Sequence, residues 1–177
     1  MFQSIVKPFL VSLLLLTCYS TAVAQESEAT VNKEFYINAD YAKVVSWVQK
    51  NPRLIGEHIG IKVVEVRQDG TIKVSRNTRR GTFVWVMREQ SQERDGTFIY
   101  TNNLVESVQG GIVASQTYIT LKPSGRGTTV SVEIYAKVDN PRVRPGEMRI
   151  DFRVSISRAE RLLVQYLEPD APLRPIR

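Results

Sequence analysis

His58 and Cys18 are the single histidine and the single cysteine among 177 residues, and they bound the chemistry open to the chain. Cys18 falls in a leader-like first stretch, so the remainder would hold no thiolate nucleophile, no disulfide and no cysteine metal site. A Ser-His-acid set could draw only on His58, which lies at a helix end or in a loop, where a surface or packing role suits it better than that of a base. No cluster has metal-ligand spacing, no glycine loop is built to cradle phosphate, and no cofactor is expected. A carboxylate such as Glu106 could act as acid or base if burial raised its pKa.

A second set is defined by strand register. Arg76, Glu89, Asn102, Glu106, Ser115 and Thr117 fall on an otherwise apolar sheet face, where polar groups need partners. Arg76 and Glu106 would lie near one end within diagonal reach, with Asn102 opposite Glu89 toward the other. Either these groups orient the polar head of a ligand, or they sit at the rim of the sheet in water.

The elements that must position them begin after residue 24. Residues 1–24 read as a secretory signal, with Lys7 ahead of the apolar run Phe9 to Leu16 and a cleavage site after Ala22-Val23-Ala24. Lipidation at Cys18 is disfavoured by the preceding Leu-Leu-Thr, and an uncleaved anchor is the other reading. The expected location is periplasmic or secreted. The formal charge is +6, or +5 once Lys7 leaves, and 42% hydrophobic with 24% charged residues excludes disordered and collagen-like chains. Residues 25–30 read as a loose segment, 31–168 as one domain, and 169–177, with three prolines, as a disordered tail.

Val31 to Ile37 reads as a strand. Asn38-Ala39-Asp40 offers a cap, and Tyr41, Val44, Val45 and Val48 form a helical stripe that Asn51-Pro52 stops. A short helix follows over Arg53 to His58. From Gly60 to Asn140, turns at Asp69-Gly70, Arg80-Gly81, Asp95-Gly96, Gly110-Gly111 and Ser124 to Gly127 delimit six strands of an antiparallel meander. Met148, Phe152, Ile156, Ala159, Leu163 and Tyr166 make one stripe of a long helix over 146–168.

Turn geometry fixes which residues share a face. Two-residue turns at Asp95-Gly96 and Gly110-Gly111 set Met87 against Leu104, Trp85 against Glu106, and Leu104 against Thr117. A four-residue loop at Pro123 to Arg126 sets Ile119 against Val130, and a turn at Arg79-Arg80 puts Val74 beside Trp85. The resulting face holds Val64, Val66, Ile72, Val74, Phe83, Trp85, Met87, Phe98, Tyr100, Leu104, Ile119, Leu121, Val130, Val132 and Ile134. It needs a cover, and the long helix is the cover.

One strand, two short helices, six meandering strands and a closing helix is the order of the START-like, or helix-grip, superfamily (SRPBCC), with the birch pollen allergen group and the polyketide cyclase/dehydrase family. The sequence resembles it over nearly all of 31–168. The residues concerned are Phe35 to Trp47, Gly110-Gly111, Leu121-Lys122-Pro123, Gly127-Thr128-Thr129-Val130 and Leu167-Glu168. The resemblance implies an α+β helix-grip fold, a seven-stranded curved antiparallel sheet wrapped on a long C-terminal helix. It also implies binding of lipids, sterols or other hydrophobic molecules between sheet and helix, with a minority of members acting as cyclases or aromatases. No catalytic residue carries over, because no catalytic motif is shared.

A bent sheet and one helix cannot fully interdigitate, so an apolar gap is expected between them. Its expected ligand-binding residues are Phe83, Trp85, Met87, Phe98, Tyr100, Asn102, Leu104, Glu106, Thr117, Ile119, Val132, Phe152 and Ile156. The partner is a hydrophobic small molecule, lipid or lipid-like aromatic, for a carrier or, alternatively, for a cyclase- or dehydratase-type enzyme. Arg149, Arg153 and Arg161 on one side of the helix could meet anionic lipid headgroups. Nucleic acid is not an expected partner, and the oligomeric state is not legible.

Overall fold

Inward and outward residues alternate along β1 (Ser27–Ile37), with Ser27, Ala29, Val31, Phe35 and Ile37 buried. Lys33 shares that inward face, where its ammonium donates to Ser157 Oγ (3.2 Å) and pairs with Glu160 at 2.6 Å. The computed structural model describes residues 26–168, and the leader and tail read at 1–24 and 169–177 lie outside them. From Ser27 onward the stretch expected to be loose is strand. Its polar residues Glu28 and Thr30 face outward, while Ser27 Oγ donates to the Val143 carbonyl at 2.7 Å and Ala29 is 2% exposed.

α1 (Tyr41–Lys50) starts at Asp40, whose carboxylate accepts from the backbone N–H of Ala42 (2.9 Å) and Lys43 (3.3 Å). Val44, Val45 and Val48 bury its apolar stripe. α2 (Pro52–His58) has proline in its first turn, where no N–H bond is lost. Six strands follow: β2 (Lys62–Val66), β3 (Ile72–Thr78), β4 (Gly81–Arg94), β5 (Thr97–Gln109), β6 (Ile112–Ser124) and β7 (Gly127–Val138). With β1 they form one antiparallel sheet in the order β1-β7-β6-β5-β4-β3-β2. α3 (Pro145–Leu167) closes it, its 23 residues spanning about 35 Å.

The β3–β4 pairs are the expected ones, Val74 with Trp85 and Ile72 with Met87. The β5–β6 and β6–β7 ladders sit two residues away from expectation. Tyr100 pairs with Ile119 and Asn102 with Thr117, and Ile119 pairs with Val132 because β6 and β7 are joined by a two-residue turn at Gly125-Arg126. A shift of two leaves every side chain on its expected face. Bulges do not. At Val64 a bulge puts Val63 opposite Val74, so Val63 rather than Val64 faces the interior, and Val64 and Val66 are exposed. Bulges at Val105 and Val108 put Glu106 opposite Val86 and Ser107 opposite Trp85.

β5 and β6 pair only from Phe98 to Asn103 against Gln116 to Leu121. Beyond that β5 stays with β4 and β6 with β7, so the two strands splay apart toward Gly110 and Gly111. Both glycines have positive φ, and a side chain on Gly111 would collide with the Asp139 carbonyl, whose own N–H donates to the Gly111 carbonyl at 2.7 Å.

The interior has two ends. At one, Leu163, Val164 and Leu167 of α3 pack with Phe35, Ile37, Val44, Phe98 and Leu121. At the other, Met148 and Val143 gather with Val74, Trp85, Met87 and Val138. Tyr166, expected in the buried stripe, is half exposed and stacks on Trp47 at 5.4 Å between centroids. Leu163→Ala is expected to lower the unfolding free energy by about 2–5 kcal/mol and Asp40→Ala by about 1 kcal/mol, read from urea unfolding midpoints. A Leu163→Ala midpoint equal to wild type would contradict a packed end at α1.

Candidate functional site

Between the concave face of the sheet, α2 and the N-terminal half of α3 lies a cavity of about 330 Å³. The aromatic wall is built by alternation along β4 and β5, which aims Phe83, Trp85, Met87 and Tyr100 inward, while Phe152 and Ile156 descend from α3. Ten of the thirteen expected residues line it: these six with Asn102, Thr117, Ile119 and Val132. Three do not. Phe98 is 2% exposed and fills the packed end. Leu104 packs with the Trp85 and Met87 cluster without reaching the space. Glu106, turned outward by the β5 bulges, pairs with Arg67 at 3.0 Å instead of approaching Arg76.

Other lining residues were not expected. Ile55 of α2, Ile59 just after it, Ile61 and Val63 of β2 form one wall, and Val143 lies under the start of α3. The four-residue spacing of Ile55 and Ile59 was a legible amphipathic signal. His58, one residue away, is exposed and does not line the cavity.

Polar groups punctuate the lining. Arg76 donates to Ser155 Oγ at 3.0 Å, and Ser155 donates to the Asp151 carbonyl at 2.8 Å. Burial holds the Arg76 guanidinium below its ordinary pKa, with Asp151 opposing that shift and Arg158 reinforcing it. Glu89 faces Asn102 across β4 and β5, as the register predicted, and lies beside Tyr100. Asn102 Nδ2 lies 2.8 Å from Met87 Sδ. At the rim, Arg80 from the β3–β4 turn grips Glu147 of α3 through two hydrogen bonds. Among the described residues no group of three metal-ligating side chains is present.

No family model and no curated protein matches the sequence. Solved structures do. A START superfamily protein from Mycobacterium smegmatis superposes with a TM-score of 0.59 at 12% identity, over 80% of this chain and 99% of that one. Ara h 8.0201 gives 0.56 at 15% identity, over 81% and 100%. The di-domain ARO/CYC StfQ of the steffimycin biosynthetic pathway gives 0.56 at 10% identity, over 81% of this chain and 51% of its own length. The chain has the START-like, helix-grip fold.

In this helix-grip chain the grip is uneven, tight at the α1 end and open where α3 begins, and the open half carries both polar stations. Tyr100 and Glu89 are neighbouring titratable groups in the lining, and burial first, then Glu89, push the Tyr100 phenol far above its usual range. Because the folded pKa is raised, the stability linked to Tyr100 is complete below about pH 10 and falls as pH rises above it. In a spectrophotometric titration Tyr100→Phe should therefore leave the phenolate absorbance of the folded protein at about pH 11 unchanged. A loss of absorbance in the variant would place Tyr100 in contact with water.

Proposed function

We propose that this protein binds a hydrophobic small molecule, lipid or lipid-like aromatic, between its curved sheet and α3. The observation that carries the reading is the cavity of about 330 Å³, left open by Phe83, Trp85, Tyr100 and Phe152 although each faces it. That volume is within the range of small-molecule sites, and an apolar occupant would supply the packing contacts these side chains lack. The ligand-binding residues proposed are the ten expected ones that line the space. The likeness to Ara h 8.0201 and to a START superfamily protein supports the fold on which the reading depends.

We place the protein outside the cytoplasm as a carrier, on the strength of the signal-like 1–24. The outward side of α3 supports loading at an anionic lipid surface, since Arg149 and Arg153 are exposed beside Ile150 and Val154, themselves 62% and 42% exposed. A second reading, a cyclase- or dehydratase-type enzyme, is favoured by the Tyr100–Glu89 pair in the cavity wall and by the likeness to StfQ.

Mass spectrometry of the purified protein tests these readings together. Under native conditions a co-purifying apolar molecule is expected, and under denaturing conditions a chain beginning at Gln25. Repeated preparations with no adduct, and no uptake of an added apolar fluorophore, would overturn the binding reading. A recovered ligand returned chemically altered after incubation would move the assignment to the enzyme. Sedimentation with anionic vesicles at low salt should carry the protein down, and a protein left in the supernatant would sink the membrane proposal.

A further inference from the structure

Among the polar residues of the cavity lining, two charged groups reach inward from the sheet, and the two differ in sign. At the first, Arg76 extends from β3 opposite Phe83, next to the Val74 and Trp85 pair. Its guanidinium has five N–H donors, and among the described residues the single acceptor it reaches is Ser155 Oγ at 3.0 Å. Ser155 has already given its proton to the Asp151 carbonyl. No carboxylate of the described residues comes within ion-pair distance of Arg76. Asp151, exposed but bordering the cavity, and Arg158, exposed and outside its lining, act on it from further off with opposite sign. A partly buried cation is thus left facing the cavity with no carboxylate in ion-pair contact, and Asp151 offsets the cost of withdrawing it from water only from a distance.

At the second station stands Glu89, beside Tyr100. Phe83, the strand partner of Arg76, and Glu89 lie six residues apart on β4, about 20 Å of extended chain. Trp85 and Met87 line the path between them.

We infer that the occupant is an elongated hydrophobic acid, its carboxylate on Arg76 and its tail lying along Trp85 and Met87 toward Glu89. The inference rests on the cavity being a binding site and adds the class of its occupant. A guanidinium fork matches a carboxylate in two parallel hydrogen bonds, and in a water-poor cavity each is stronger than at the surface. The rest of the lining selects a single negative charge. Arg53 and Arg80 are exposed on the rim, and Arg80 is engaged by Glu147, so Arg76 stands as the one inward cation. A second carboxylate at the tail would meet Glu89 and be repelled.

The test uses N-phenylnaphthylamine, an uncharged fluorophore, as reporter of the cavity, and lauric acid, dodecanol and dodecanedioic acid as competitors near neutral pH below their micellar range. Lauric acid should displace the dye at least about tenfold more effectively than dodecanol or dodecanedioic acid. Arg76→Met should erase that advantage, read within the variant as the ratio of lauric acid to dodecanol displacement. Arg76→Lys, which keeps the charge and loses the fork, should retain part of it and serves if the methionine variant does not fold. Dye uptake with equal displacement by acid and alcohol, or an acid preference that survives Arg76→Met, would overturn the inference and leave the cavity reading standing. A protein that takes up no dye would lose both.

Discussion

A straight helix touches a strongly curled sheet along only part of its length, and the rest of this molecule follows from that mismatch. α3 makes full contact near its C-terminal end, where Leu163, Val164 and Leu167 meet β1 and α1. Toward Pro145 the sheet bends away, and large side chains from both layers still leave about 330 Å³ between them. The packed end therefore supplies the fixed reference for the open one. Lys33, tied to Ser157 and Glu160, and Trp47 against Tyr166 hold the helix at that end.

The open end gains its chemical character from what surrounds it. An apolar wall strengthens each polar contact and raises the cost of each unmet one, so two modest stations count for more here than at the surface. Burial pushes Tyr100 toward its neutral form and works against the charge of Arg76, with opposite consequences. The phenol is held in its neutral form beside Glu89, whereas the guanidinium keeps unmet donors. At the rim, the Arg80 and Glu147 pair joins the β3–β4 turn to the first turn of α3 at the exposed surface, where such a pair contributes little to stability.

Much of this was legible because sheet faces obey parity. The expected ladders of β5 with β6 and β6 with β7 were two residues out, yet Tyr100, Asn102, Thr117, Ile119 and Val132 still line the cavity. Bulges are odd-numbered events with no comparable protection. Valine suits either face of a strand, so Val64, Val105 and Val108 carried no mark of the register change they cause, and Glu106 was assigned to the wrong side. Phe98 and Leu104 were on the right face, but which inward side chains meet empty space depends on where the helix stops touching the sheet. That is a tertiary distance with no periodic signal. Ser27 to Thr30 were misread for a simpler reason, since an edge strand with polar outward residues resembles a loop until its partner, β7, is seen.

The parting of β5 from β6 bears on how such a container behaves. Leu104–Gln109 and Ile112–Ser115 face one another with no ladder pairs, while each is held on its other flank by β4 or β7. The wall thus has a seam that no ladder pair crosses, so each of the two strands along it is anchored to the sheet there by its outer flank alone.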